Sequence, residues 1–188
     1  MNTQDLLKTI KDRRNTKSFT EEEVKKSDIE LILESGVWAP NHRNTEPWRF
    51  VVIDKSSELK KEISKSMISL QEESSNAKLT DDQKTNISLS VAKSPCYIFV
   101  FTTIGDTPEI TEENYGAVCC AIQNMQLTAT TLGLGVGWST GKISKIKNLK
   151  KLLDVDQTLK IVGVLSIGYP NSNLEKSREE FSNLTKWL

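Results

Sequence analysis

Residues 114–141 constrain this chain more than any other stretch. An apolar, small-residue segment starting at Asn114 runs into nine residues that hold Gly133, Gly135, Gly137 and Gly141, four of the nine glycines in the chain. Val118, Ile122, Met125, Ala129 and Leu132 recur at spacings of four and three, which places them on one stripe of a helix about five turns long. The remaining faces carry Gly116, Ala117, Cys119, Cys120 and Ala121 instead of Lys and Glu, so the helix suits a central position packed on several sides. The glycine-rich loop that follows needs either positive φ or the close approach of another group, and a flat ligand and tight turns both satisfy that need. The spacing Gly133-x-Gly135-x-Gly137 follows a helix, whereas the dinucleotide fingerprint follows a strand and opens a helix, so a Rossmann fold is excluded.

A length of 188 residues fits one domain spanning 1–188 with one core. With 25 basic and 25 acidic residues the formal charge is zero, and no global field is available to hold a polyanion; nucleic-acid binding is disfavoured. No run has the roughly 18 apolar residues that span a bilayer, and the polar N-terminus lacks the apolar segment of a signal peptide, so a cytoplasmic protein without membrane association is expected. Cys119 and Cys120 are sequence neighbours and Cys96 stands apart, with no Cys/His ligand spacing, which favours buried thiols over a disulfide or a metal site.

A short amphipathic helix through Leu6, Leu7 and Ile10 ends in Arg13-Arg14-Asn15-Thr16-Lys17. Cations there complement the helix dipole, and guanidinium forks equally suit a phosphate; charge alone does not decide. Ser27 with Glu30 forms a capping-box pattern, so a second helix is expected over Ser27 to Val37. Residues 39–48 form a loop bracketed by Pro40 and Pro47, and Phe50 to Ile53 reads as a buried strand. His42, the single histidine, is better explained as a hydrogen-bonding loop residue than as a general base.

Residues 54–93 are the most polar part of the chain. Leu59, Ile63, Met67 and Leu70 mark an amphipathic helix, and Gln71 to Asn86, charged and weakly periodic, is expected to be a mobile, solvent-exposed excursion. Pro95 to Phe101 and Ile161 to Ile167 are apolar runs of strand length covered on both faces, with a short helix at Leu149 to Leu153 between them. The architecture expected is α+β, a small sheet sandwiched between helices. The apolar Phe181, Leu184, Trp187 and Leu188 are too apolar for a free tail and should dock on a neighbouring surface, such as that of a partner subunit.

Gly137-Trp138-Ser139-Thr140-Gly141 matches the nucleophile elbow G-x-S-x-G. In that fold the catalytic histidine follows the serine, and here His42 lies far upstream, so Ser139 lacks a base and a serine hydrolase is excluded.

Taken together the motifs resemble the nitroreductase-like FMN-dependent oxidoreductases. Arg13 to Phe19 resembles that family's R-[RH]-S-x-[RK]-x-[FY] motif, and Pro40 to Trp48 its P-S-x-x-N-x-Q-P-W loop. The helix from Asn114 with the turn to Gly141 is similar to its long dimer-interface helix and flavin-facing turn. Gly168-Tyr169-Pro170 followed by Lys176-Ser177-Arg178 is similar to its G-[YF]-P and K-x-R close. Four landmarks in the family's order span nearly the whole chain.

The resemblance implies an α/β/α sandwich with a small, mostly antiparallel sheet. It implies a homodimer binding two FMN at the subunit interface, NADH or NADPH as reductant, and a small-molecule acceptor. Arg13, Arg14 and Asn15 would bind the phosphate with Lys176 and Arg178. Lys17 would sit at the N1/C2 carbonyl edge, where a cation stabilises the reduced ring. Asn44 would bond the pyrimidine edge, with Pro40, Asn41 and His42 contributed by the loop of the partner. Thr140 and Gly141 would present a backbone N–H to flavin N5, with Trp138 and Ser139 alongside. The implied chemistry is ping-pong: hydride enters at N5 and leaves to a nitroaromatic, quinone or similar acceptor, with no catalytic side chain and no metal. A low-turnover flavin-binding protein for storage or delivery is the alternative. The chain departs from the pattern at Asn15, where serine is usual, at Glu46, where glutamine is common, and in the turn Trp138-Ser139-Thr140-Gly141.

Overall fold

The computed structural model describes residues 2–172 and 175–188. Six helices and four strands follow one another along it: α1 (Thr3–Asp12), α2 (Lys26–Val37), β1 (Trp48–Ile53), α3 (Leu59–Ser75), α4 (Asp81–Lys93), β2 (Cys96–Thr102), α5 (Pro108–Thr131), β3 (Gly135–Ser139), α6 (Leu149–Leu152) and β4 (Lys160–Gly168). The strands form one sheet in the order β1-β2-β4-β3 with every neighbour antiparallel. All seven residues of β2 are buried, as its unbroken apolar run requires. β1 lies at the sheet edge and is only partly buried.

Alternate residues of the strands feed two cores. Cys96, Ile98, Val100, Val136, Leu165 and Ile167 face α5 and α2, whose Val118, Ile122, Met125 and Ile32 fill that side. Tyr97, Phe99, Phe101 and Val164 face the opposite way, against Ile63 of α3, Val91 of α4 and Leu149 of α6. Each sheet face therefore carries a helical layer, the α+β sandwich expected from the sequence. α5 is the long central helix, with Thr107 capping its first turn and Pro108 at its start. Its Gly116 and Cys120 remain exposed in the single chain.

Three expectations are corrected. The nine glycine-rich residues after α5 are not all loop: Gly135–Ser139 is the edge strand β3, and Gly133 is the one glycine there with a left-handed φ, 75°. Ser27 does not cap α2, which starts at Lys26 with Lys25 as its N-cap and no side-chain cap bond. Residues 71–86 are no irregular excursion: α3 continues to Ser75, Asn76 ends it in a left-handed conformation, and a Thr80/Gln83 capping box starts α4. Glu72 secures that turn by accepting from Leu79 N–H at 3.0 Å and pairing with Lys78 at 3.1 Å. The weak periodicity reflects helices with mostly solvated faces.

Phe181, Leu184, Trp187 and Leu188 are more than two-thirds exposed in the chain alone, Trp187 at 87%. Among the described residues no helix is long and apolar enough to cross a membrane.

Candidate functional site

Two backbone pairings bring the start and end of the chain together. After α1, Asn15 bridges in parallel to Val136 of β3, with Thr16 N–H donating to the Val136 carbonyl at 3.0 Å. Four residues on, Phe19 bridges to Pro170, Thr20 N–H donates to the Tyr169 carbonyl at 2.8 Å and Asn171 N–H to the Ser18 carbonyl at 3.1 Å. The N-terminal motif thus lies on β3 and on the segment that follows β4. Gly135 and Gly137 admit it, because side chains there would collide with Thr16. The close approach these glycines permit is that of the chain itself.

The arginine pair splits. Arg14 turns back on α1, its Nη1 donating to the carbonyls of Lys11 and, at 3.0 Å, Arg13. That is the helix-terminus role. It also lines a cleft of about 420 Å³ that holds Asp12 and Glu175. Arg13 points the other way, donating from Nη1 to Oε1 of Gln126, a buried residue of α5, at 3.0 Å. Burial first, then the charges of Arg178 and Arg14, push the Arg13 guanidinium below its ordinary range. Residues 13 and 178, at opposite ends of the chain, are therefore electrostatic neighbours. Lys176 and Arg178 are exposed, and Arg178 Nη1 donates to the Ser177 carbonyl at 3.0 Å.

Asn15 gives its Oδ1 to Trp138 N–H at 2.8 Å, tying the cationic segment to the end of β3. The turn beyond is closed locally. Gly141 N–H donates to Ser139 Oγ at 3.1 Å, Ser144 Oγ donates to the Gly141 carbonyl at 2.8 Å, and Thr140 is exposed. Lys142 Nζ donates to Gln71 Oε1 at 2.6 Å, which sets the end of α3 beside this turn. The Trp138 indole lies over Gly163, and its Nε1 is buried without a hydrogen-bond partner among the described residues. Lys17 is exposed and lines a cleft of about 510 Å³ with Lys93, Ser90, Ser94 and Tyr97, a space rich in cations and hydroxyls.

The Pro40–Pro47 loop stands elsewhere. It contains a short 3₁₀ turn, His42–Asn44, and three left-handed non-glycine residues, Arg43 at φ 53°, Asn44 at 53° and Glu46 at 42°. Asn41 Oδ1 holds this shape by accepting from Glu46 N–H at 3.0 Å. Arg43 Nε donates to His42 Nε2 at 3.0 Å, which makes the histidine a local acceptor in the loop. Thr45 Oγ1 donates to Oδ1 of Asn114, a buried residue near the start of α5, at 2.8 Å. Gln126 and Asn114, the two buried amides of α5 that anchor the two motifs, escape sequence reasoning. A glutamine beside the apolar stripe of an otherwise small-residue helix is the available signal.

The donor set tests which ligand fits. Arg13 feels the like charges of Arg178 and Arg14, and cations that repel one another in this way suit a dianionic phosphate.

Residues 10–169 match the profile described as Nitroreductase family. YfhC of Bacillus subtilis, named as a candidate NAD(P)H nitroreductase, is 28% identical over 162 residues, covering 86% of this chain and 82% of the relative. An iodotyrosine deiodinase of Hydra vulgaris is 30% identical, over 91% of this chain and 67% of its own length. Among solved structures, a nitroreductase-like family protein of Bacillus cereus superimposes with a TM-score of 0.83 at 25% identity, covering 100% of this chain and 98% of the other. A candidate nitroreductase of Desulfovibrio desulfuricans, solved in complex with FMN, gives a TM-score of 0.75 at 27% identity over 98% and 96% of the two chains. The fold, the order of the four motifs and these likenesses agree: the chain belongs to the nitroreductase family.

Proposed function

We propose that this protein is an FMN-dependent NAD(P)H oxidoreductase working as a homodimer on a nitroaromatic, quinone or related acceptor. The observation that carries it is the backbone pairing that lays the Arg13–Phe19 motif on β3 and on the segment after β4, which makes Arg13 and Arg178 electrostatic neighbours. Arg13 and Arg178, with Lys176 nearby, hold the FMN phosphate, and Arg14 adds charge from the end of α1. Asn15 ties the N-terminal motif to the turn at Trp138 to Gly141, which would face the ring. Lys17, exposed in the cleft it shares with Lys93, would supply the cation that stabilises negative charge on the reduced ring. FMN when bound supplies the acceptor for hydride from NADH or NADPH and the donor to the final substrate. Relatives named for nitro reduction and for deiodination match the same chain, so the acceptor class rests on the family resemblance alone.

The anchoring of the two motifs supports the dimer. Asn114 and Gln126 are twelve residues apart on α5, about 18 Å along the axis, so one chain does not bring its Pro40–Pro47 loop to its own cation cluster. Two α5 helices packed antiparallel about Cys120, midway between them and exposed, would set the Asn114 end of one subunit beside the Gln126 end of the other. Pro40, Asn41, His42 and Asn44 then reach the flavin held by the partner. The exposed apolar C-terminal segment has a surface to cover in the same assembly.

Purified protein should be yellow with one FMN per chain, and NADH or NADPH should bleach the flavin band anaerobically. Flavin that binds but resists both reductants would favour the storage or delivery alternative, and a colourless protein that refuses added FMN would end the proposal.

A further inference from the structure

The cation cluster has a neutral neighbour whose chemistry is specific. Gln126 is 3% exposed on the central helix and offers Oε1 to Arg13 Nη1 at 3.0 Å. Its backbone carbonyl is independently engaged by Thr130 Oγ1 at 2.8 Å, so the residue sits in a fixed turn of α5. A guanidinium on a long flexible stem needs an acceptor to hold one orientation, and carboxylates are the strongest acceptors for it. A carboxylate here would also cancel the charge. An amide oxygen supplies direction and leaves the charge intact for an incoming anion.

Resting on the assignment of Arg13 to the FMN phosphate, we infer that Gln126 is a positioning residue that aims the Arg13 guanidinium at that phosphate while keeping it un-neutralised. The bond to the buried Gln126 engages one of the five donors of the guanidinium. The uncompensated charge is tolerable because Arg13 is only partly buried. Gln126 thereby sets selectivity for phosphorylated over unphosphorylated flavin, and it does so without touching the ring.

The test compares dissociation constants for FMN and riboflavin, with the folded state followed by circular dichroism and thermal midpoint. Gln126→Glu should weaken FMN by about 10-fold or more, as expected when a buried charge pair replaces an available cation, and leave riboflavin within about 2-fold. Gln126→Leu keeps the charge and loses the aim, so it should weaken FMN by a smaller factor with riboflavin again unchanged. Inorganic phosphate should protect the wild type against FMN binding and protect Gln126→Glu less. Arg13→Ala is the reference: it should lose FMN on dialysis while staying folded. If Arg13→Ala loses FMN and Gln126→Glu binds it like wild type, the inference about Gln126 fails and the phosphate assignment stands. If Arg13→Ala retains stoichiometric FMN, the assignment itself is wrong. Equal losses of FMN and riboflavin in both Gln126 variants would mean that the residue serves packing only; should the glutamate variant not fold, the leucine variant decides by the same ratio.

Discussion

The carbonyl oxygen of Thr16 lies 2.3 Å from the point where a side chain at Gly137 would begin. Gly135 is under the same segment, 2.4 Å from Thr16 Oγ1 by the same measure. The N-terminal motif thus rests directly on the backbone of β3, and this contact fixes where Arg13, Asn15 and Lys17 stand relative to the turn at Trp138.

Gly137→Ala should therefore displace residues 13–17. The obstructing atom is backbone and does not swing aside, so an overpacking cost of about 1–3 kcal/mol is expected, equivalent to a fall of roughly 2–12 °C in the thermal midpoint. FMN affinity should fall with it, because the cation cluster moves away from the turn. Unchanged midpoint and unchanged flavin content in the alanine variant would show that the segment does not lie on β3 as described.

At Gly116 a side chain would begin in open space, with no heavy atom within 4 Å, so the single chain tolerates a larger residue there. Pairing of α5 with its copy would not. Gly116→Leu should fold as well as wild type and, if the proposed dimer holds each flavin with the loop of the partner, lose both dimer mass in light scattering and FMN. A Gly116→Leu protein that stays dimeric would move the interface away from this face of α5.

How far the sequence reached depended on the signal each part carried. β2 and β4 were legible because both faces of each strand are buried and their apolar runs have no competing pattern. The stripe through Val118, Ile122 and Met125 was legible because its apolar period is clean. β3 was not: three of its five residues are Gly135, Gly137 and Ser139, and the two glycines are there for the approach of Thr16, so the stretch reads locally as loop. α3 was legible from Leu59, Ile63, Met67 and Leu70, while its last turn and α4 were hidden because their outward faces are polar, although Thr80-x-x-Gln83 marked the start of α4. In the N-terminal motif the arginines are plain in the sequence, while their division, Arg14 on the carbonyls of Lys11 and Arg13, and Arg13 on Gln126, depends on side-chain directions that spacing does not encode.

The three cysteines separate by environment. Burial pushes the Cys96 thiol up to about 12, and burial with the neighbouring Cys120 raises that of Cys119; Cys120 itself is exposed. At pH 8 roughly one Cys96 in ten thousand is thiolate, so a disulfide-exchange reagent should leave it unlabelled until the protein unfolds. Cys120 should react in the single chain and, in the proposed dimer with α5 against its copy, become protected as concentration rises. Mass spectrometry of the labelled peptides checks both, and native labelling of Cys96 at the rate of a free thiol would contradict the packing around β2.

Lys60 supplies the pH dependence. Its Nζ is drawn inward to donate to the Ser94 carbonyl at 2.6 Å and the Lys55 carbonyl at 3.3 Å, and it lies 5.9 Å from the Tyr97 ring centre. Desolvation, aided by Lys55 and opposed by Cys96 and Asp54, lowers its pKa below 10.5. The folded state then releases this proton before the unfolded state does, so between the lowered value and 10.5 the unfolded chain binds more protons and stability gained from this residue rises with pH. Lys60→Met removes that gain. It also removes a cation that lowers the Cys96 thiol, so the thiol of the variant rises further and costs it more stability in alkali. Both effects share one sign. The difference in unfolding free energy, wild type minus Lys60→Met, should grow as pH climbs towards 10.5, measured by urea titration at several pH values. A difference that stays flat or shrinks over that range would mean that the Lys60 ammonium is solvated in the folded protein.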